Sequence, residues 1–548
     1  MEESFIQYIE QSIKNNWDRP SVTDFKGATS SYKDVARKIE KLHILFEHSG
    51  IKKGDKIALC SRNMSSWGIA FLATLTYGAV AVPILNEFKP DNVHHIVNHS
   101  EARLLFVGDV VWENLDESAM PDVDGIIRIE DYSLRHANKK SLTQARERLN
   151  QLFGQKFPDR FTAEDVKYTY DQLDDLAVIN YTSGTTSSSK GVMLPYRSIW
   201  TNMKFGIEVL GYNPGEQIVC MLPMAHMYGL AFEFIYQFVN GTHIHFLSRT
   251  PSPKIIADAF EKVKPDLIIT VPLVIEKIIR KKIFPAIEKP HIKLLMNIPV
   301  INDKIKDSIR QKLMDALGGK FKELIIGGAA LNKEVENFLR SIHFPYTVGY
   351  GMTECGPLLS YDDWRTFRQG SCGKAVNRVQ LKIDSPDPQN IVGEILAKGD
   401  CVMSGYYKNP EATAAALDAE GWLHTGDLGL IDADGYLFIK GRSKNMLLGP
   451  SGQNIYPEEI EDRLNNMIYV SESIVTEQDG KLVALVYPDF EAVSAGHINE
   501  ADLPNIMAEN LKHINQLLPA YSQISRIKIY NEEFEKTPKR SIKRFLYQ

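Results

Sequence analysis

The apolar positions in the first half of the chain change period in a regular way. Over Tyr32–Ser49, Val35, Ile39, Leu42 and Leu45 recur at helical spacing, and a Gly54-Asp55 turn then leads into the short apolar run Lys56–Cys60. The same exchange of helical face for strand recurs at Val93–His99 with Arg103–Val107, and at Ile255–Val263 with Leu267–Val271. Alternating helices and strands predict a parallel sheet covered by helices, an α/β architecture. Asp109–Lys167 is charged and irregular and reads as a surface excursion. Ile431–Ile439 reads as a hairpin turning at Ala433-Asp434-Gly435. A turn-rich stretch, Leu448–Asn454, then precedes a helix over Pro457–Met467, with Pro457 suited to its first turn. These breaks predict a large domain over 1–440 and a small α+β domain over 441–548, with the boundary near Lys440–Lys444.

One apolar stretch is long enough to test as a membrane span. No charged residue occurs between Arg62 and Glu87, and Trp67–Leu85 is largely apolar. Its pattern changes partway: Trp67–Tyr77 suits a buried helix, Gly78 its cap, and Ala79-Val80-Ala81-Val82-Pro83 a buried strand. A soluble helix–strand unit is expected, with at most peripheral membrane contact. The 548 residues exceed what one core usually serves, and 44% apolar with 24% charged residues is ordinary globular composition. A net charge of -6 argues against bulk nucleic-acid binding. The five cysteines (Cys60, Cys220, Cys355, Cys372, Cys401) form no metal-ligand spacing and read as buried thiols of a reducing compartment. Met1-Glu2-Glu3 is acidic where a signal peptide would be basic, so a cytoplasmic location is expected.

Three segments carry candidate chemistry. The first runs Tyr181-Thr182-Ser183-Gly184-Thr185-Thr186-Ser187-Ser188-Ser189-Lys190-Gly191 after the apolar run Leu176–Ile179. Its hydroxyls, backbone N–H groups and Lys190 suit phosphate oxygens, although a plain polar surface loop would look the same. It is not a Walker A loop, because Ser189 stands where glycine must precede the lysine. The second is Val348-Gly349-Tyr350-Gly351-Met352-Thr353-Glu354. A hydroxyl and a carboxylate after two glycines could hold a phosphate and its Mg²⁺, or simply punctuate a turn. The third is Gly421-Trp422-Leu423-His424-Thr425-Gly426-Asp427, with Gly441-Arg442 beyond it. Asp427 suits ribose hydroxyls, or only a local cap.

In order and wording, these segments resemble the adenylate-forming superfamily of acyl-CoA synthetases, luciferases and peptide-synthetase adenylation domains, from the Gly54-Asp55 region to Arg544. The resemblance implies a large multi-sheet adenylation domain and a small mobile C-terminal domain turning on a hinge at Lys444. It implies ATP β- and γ-phosphates under Thr182, Ser183, Gly184, Thr185, Thr186 and Lys190, with Ser187 and Ser189 replacing the usual Gly and Pro. Gly327-Gly328-Ala329-Ala330 resembles the adenine segment, with Tyr350 stacking on the base beside Gly351 and Met352. Thr353 would meet the α-phosphate, Glu354 Mg²⁺, Asp427 the ribose, and Arg442 ribose or phosphate.

Leu222-Pro223-Met224-Ala225-His226, Val271–Lys277 and Gln453–Glu461 look most like the long-chain fatty acyl-CoA synthetase branch. That likeness implies a fatty acid activated as acyl-AMP and passed to coenzyme A, with His226 by the carboxylate. His226 could also be a core histidine, and the apolar residues of Tyr228–Phe234 could wall a chain tunnel or simply fill core. Medium-chain and aryl acids stay open, as do transfer to an acyl carrier protein and a non-catalytic binding role. The family's C-terminal lysine aligns with Ser541, and Lys539 and Lys543 are the candidates to replace it, each two residues away. A solvated basic tail is the plainer reading of the same residues.

Overall fold

The computed structural model describes residues 4–182, 189–249, 252–287, 289, 299–448, 453–478, 480–537 and 542–547. The helix Tyr32–Ser49 forms over the predicted residues. Ser31 and Asp34 close a reciprocal capping box, Gly50 in the left-handed region (φ 82°) ends it, and Val35, Ile39, Leu42 and Leu45 are buried. Its neighbours assemble an eight-stranded sheet in the order Gly405–Tyr406, Gly191–Pro195, Leu176–Tyr181, Val80–Ile84, Lys56–Cys60, Ala102–Val107, Gly125–Arg128, Leu134–Ala137. Pairing is parallel from Leu176–Tyr181 to Gly125–Arg128 and antiparallel at both edges.

The stretch read as a membrane candidate folds as a buried helix followed by a central strand. The helix Ser65–Thr76 is buried on every side, with Trp67 stacked on Phe71 at 5.5 Å, and Val80–Ile84 lies mid-sheet. Among the described residues, no helix is long and apolar enough to cross a membrane.

Asp109–Lys167 is not an excursion. It supplies the last two strands of the sheet and the helices Lys140–Glu147 and Leu149–Lys156, which pack on Tyr32–Ser49. Its charges belong to the rim, where Arg128 pairs with Asp109 and Asp131. Charges on the solvent side of edge strands dilute the apolar pattern that announces a strand.

Among the described residues, four further sheets complete the large unit, one of them formed by Gln217–Cys220, His243–Phe246, Pro20–Asp24 and Thr29–Ser31. Ile268–Thr270, Leu324–Ile326 and Tyr346–Val348 are parallel. Tyr350–Gly351, Leu358–Tyr361 and Lys374–Ala375 are antiparallel, as are Val379–Asp384, Gly393–Gly399, Leu423–Ile431 and Leu437–Arg442. The predicted hairpin is present, with Ile431 opposite Leu437. A smaller C-terminal unit has its own core, including Ile460, Leu464, Val475, Val486, Met507 and Ile514. There Val470–Gln478, Lys481–Pro488 and Arg526–Ile529 form a mixed sheet beside the helices Pro457–Leu464 and Leu503–Leu517. The first helix stops three residues before Met467. The carbonyl of its capping residue Asn465 accepts instead from Arg280 of the large unit (3.2 Å).

Candidate functional site

The three parallel strands Ile268–Thr270, Leu324–Ile326 and Tyr346–Val348 release the chain at their C-terminal ends, where α/β crevices form. Gly327 follows the middle strand, and a Cβ there would stand 3.0 Å from the Tyr228 ring. Gly349 donates its N–H to the Ile326 carbonyl (2.9 Å). Gly351 admits no side chain at all, since a Cβ would lie 2.2 Å from the Pro357 carbonyl oxygen. That close approach turns the chain into the single 3₁₀ turn Thr353–Cys355, with Thr353 buried and Glu354 half-buried.

The hydroxyl-rich segment leaves the sheet between Tyr181 and Gly191, which pair across the hairpin. Thr182 donates its N–H to the Lys190 carbonyl (2.9 Å), Ser189 Oγ donates to the Thr182 carbonyl (2.6 Å), and Lys190 N–H reaches Thr182 Oγ1 (3.1 Å). Ser183, Gly184, Thr185 and Thr186 lie outside the described residues. Lys190 Nζ stands over the Tyr406 ring at 4.7 Å, and the Tyr406 hydroxyl donates to Glu354 Oε1 at 3.0 Å. One tyrosine thus gathers the lysine of the first motif and the carboxylate of the second.

The third motif joins them through Asp427, which is 4% exposed. Asp427 lies directly across the hairpin from Arg442, whose Nε donates to Oδ1 at 2.8 Å, while the Tyr350 hydroxyl donates to Oδ2 at 2.6 Å. Burial raises the Asp427 carboxyl above its ordinary range despite Arg442 and Tyr350, and the Glu354 and Glu458 charges add to that rise. Burial likewise drives the Tyr350 hydroxyl well up, so it remains a donor. Lys444 is exposed in the turn Ser443–Asn445 just beyond. Gly328, with φ 85°, and Ala329 are exposed.

Beside Thr353 a cavity of about 60 Å³ opens into apolar ground. His226, Tyr228 and Phe232 line one side, Gly349 to Thr353 another, with Phe205, Leu210, Leu358 and Tyr361 completing it. Of the segment Tyr228–Phe234, Tyr228 and Phe232 face this cavity, whereas Leu230 and Phe234 fill the core. His226 Nδ1 accepts from the Tyr228 N–H at 3.3 Å, which keeps the proton of a neutral ring on Nε2. A hydroxyl, a carboxylate and an ammonium are therefore gathered beside a cavity lined mostly by apolar side chains and glycines.

The family model described as AMP-binding enzyme matches residues 9–407. The chain belongs to the AMP-binding enzyme family. A model for the C-terminal domain of AMP-binding enzymes matches residues 445–547. Long-chain-fatty-acid–CoA ligase 5 of Rattus norvegicus is 28% identical over 503 residues, covering 84% of this chain and 71% of the relative. 4-Coumarate:CoA ligase 1 of Petunia hybrida is also 28% identical, covering 85% and 80%. The solved structure of ATP-bound MatB from Rhodopseudomonas palustris shares the fold with a TM-score of 0.76 and 20% identity, covering 99% and 98%.

In this AMP-binding enzyme the C-terminal tail folds onto the small unit. Phe534, Tyr530, Ile542 and Tyr547 pack together, and Lys536 pairs antiparallel with Ile542. Lys543 therefore lies on a returning segment, where its Nζ bonds Glu535. Lys539 and Ser541 lie outside the described residues, so their expected common face with Lys543 is not described. Arg544 pairs with the buried Glu461, whose carboxyl burial pushes up to about 7.

Two residues at the site carried no sequence signal. Tyr406 belongs to no motif and acts through its neighbours in space. Glu233, fully buried, accepts from the N–H groups of Met221 and Leu222 (3.0 and 2.8 Å) and so braces the chain leading to His226. Burial raises its carboxyl well above the usual range, and a neutral glutamic acid in an apolar run looks like any interrupted helix face.

Proposed function

We propose that this AMP-binding enzyme is an ATP-dependent acid–CoA ligase: it joins a carboxylic acid to AMP, releasing pyrophosphate, and passes the acyl group to the thiol of coenzyme A. The observation that carries this reading is the adjacency of the Lys190–Tyr406–Glu354 and Tyr350–Asp427–Arg442 groups to an apolar cavity at Thr353 and His226. A carboxylate attacks an α-phosphate only if negative charge is neutralised on both sides. Lys190, with Thr182 to Thr186, would hold the β- and γ-phosphates, and Thr353 the α-phosphate. Asp427 and Arg442 would hold the ribose, and Tyr350, with Gly328, Ala329, Gly351 and Met352, the base. His226 would stand by the acid. Glu354 and the Thr353 hydroxyl are hard oxygen donors of the kind Mg²⁺ takes together with substrate phosphates. When bound, that ion supplies charge neutralisation at the phosphates.

The sequence likeness and the 28% identity to a long-chain ligase support a fatty acid, and the equal identity to a coumarate ligase supports an aryl acid. Lys444 is proposed as the hinge between 1–440 and 441–548, and Lys543 or Lys539 as the tail ammonium. To act, Lys543 must leave Glu535. Five free thiols, four of them buried, support a reducing compartment, proposed to be the cytoplasm.

ATP–pyrophosphate exchange across fatty and aryl acids tests the first half reaction, and thioester formation with coenzyme A or a holo-carrier protein tests the second. Glu354→Gln is expected to cut exchange by orders of magnitude with an unchanged melting temperature. Near-normal exchange in that variant removes Glu354 from the site. No exchange with any acid by the unmodified protein overturns the ligase reading.

A further inference from the structure

The cavity has a floor to which the ligase reading gives no task. Strand Leu358–Tyr361 runs antiparallel to Tyr350–Gly351, with Leu358 opposite Gly351 and Ser360 opposite Tyr350. The backbone therefore advances three strand steps, about 10 Å, from Leu358 opposite Gly351 to Tyr361, and both residues line the cavity. At that far end the Tyr361 ring meets Phe205 edge-on, centroids 5.3 Å apart, beside Leu210.

The ring is tied from behind. The Tyr361 hydroxyl lies 3.0 Å from each carboxyl oxygen of Glu323, the residue that opens into strand Leu324–Ile326. Glu323 is 6% exposed, and Tyr361 donates to it from within the fold. Swinging the ring aside would leave a buried hydroxyl and a buried carboxyl without each other, an expensive arrangement in a low-dielectric interior. A phenylalanine could turn away at much smaller cost. None of the described residues lining the cavity is Asp, Glu, Lys or Arg, so nothing there would meet a second charge on the acid.

We propose that Tyr361, pinned by Glu323, is the length stop of the acid cavity, and that the unmodified enzyme takes compact apolar monoacids, a single ring or a chain of like reach, in preference to long-chain acids. The inference rests on the acid–CoA ligase reading and narrows its substrate class. The side chain decides which acid fits and takes no part in bond making.

The test uses the full-length protein and the variants Tyr361→Leu and Tyr361→Phe, with straight saturated acids of graded length and benzoic-type acids as probes. ATP–pyrophosphate exchange gives kcat/KM, calorimetry gives acid binding without turnover, and melting temperatures show that each variant is folded. In the unmodified protein, kcat/KM is expected to drop about tenfold or more once the chain outgrows the floor, the scale on which apolar pockets discriminate. Tyr361→Leu is expected to move the optimum to longer acids, raising kcat/KM for a long acid about tenfold, with the KM for ATP unchanged. Tyr361→Phe, which keeps the ring and loses the tie, is expected to widen the range of lengths accepted; its profile decides the matter if Tyr361→Leu does not fold. Long acids bound and exchanged as well as short ones by the unmodified protein would overturn the proposal, as would the same length profile in every variant. Absence of exchange with all acids would fail the ligase reading alone, and the calorimetric length profile would still decide the stop. Absence of acid binding overturns both.

Discussion

Asp427 shows how much a single residue can hold in place before any ligand arrives. Its two carboxyl oxygens are engaged by Arg442 and Tyr350, residues from different sheets, so the side chain is fixed from both directions. Hydrogen bonds to a buried charged acceptor contribute about 1.5–3 kcal/mol each. Asp427→Ala is therefore expected to raise the KM for ATP about tenfold or more, since 1.4 kcal/mol is a factor of ten. Arg442 is half exposed and can be rehydrated, but the buried Tyr350 hydroxyl loses its acceptor, so a modest fall in melting temperature is expected alongside the change in KM. An unchanged KM for ATP would reduce Asp427 to a turn cap.

Glu323 makes a prediction of a different kind. Burial pushes its carboxyl up to about 7 from an ordinary 4.5, against the opposing hydrogen bond from Tyr361. A raised carboxyl means that the folded state holds a proton which the unfolded chain releases. Its stabilising contribution is thus full below about pH 4.5 and is lost as the pH rises through about 7. Glu323→Gln cannot titrate, and its denaturation midpoint is expected to fall less than that of the unmodified protein over that range. Parallel midpoints would show that Glu323 keeps an ordinary carboxyl. Asp427, Tyr350 and Lys190 were legible in the sequence because motif wording flags them. Glu323, Tyr361 and Tyr406 were not, because each matters through a partner 38 or more positions away.

Among elements, the neck of the hydroxyl-rich loop explains an unusual composition. The superfamily resemblance leads one to expect proline at 189, which would stiffen the chain by fixing φ. Here Ser189 does comparable work through its hydroxyl, which donates to the Thr182 carbonyl across the neck. Ser189→Ala is expected to loosen the loop and raise the KM for ATP several-fold, with Ser189→Pro returning part of the loss. Equal KM values in all three proteins would show that the neck is held by the Thr182–Lys190 bonds alone. Elements with a pure period, such as Tyr32–Ser49 and Lys56–Cys60, could be read to the residue. The edge strand Leu134–Ala137 escaped because its solvent-facing polar residues erase the alternation, and its neighbour Gly125–Arg128 because four residues are too few to show a period.

At the scale of the whole molecule, the two units touch, among the described residues, through polar contacts. Arg280 reaches Asn465 and Asn466, Asn332 meets Asp462 at 3.2 Å, and Lys440 meets Glu459 at 3.1 Å. Interfaces of this kind permit relative motion. Arg280→Ala removes the contact that engages two positions, and proteolysis across 441–454 is expected to quicken about threefold to tenfold. The same cleavage rate in both proteins would show that Arg280 does not hold the small unit. The existence of two units could be read from the change of pattern past residue 440, but not the contacts between them. Polar side chains at such a surface have no periodicity to betray them.

The pair across the hairpin at Asp427 has a further reach. Arg442 is the last residue of its strand, and the chain passes from it through Ser443–Asn445 toward the small unit. Any ligand that draws Asp427 Oδ1 away from Arg442 alters the anchorage of that connection directly, with no relay of intervening side chains. Coupling between two binding events is reciprocal by thermodynamic necessity. Whatever fixes the orientation of the small unit must then change nucleotide affinity by the same factor with which the nucleotide biases that orientation. The shift in ATP affinity between domain arrangements and the shift in the domain equilibrium on ATP binding would be two readings of one coupling free energy.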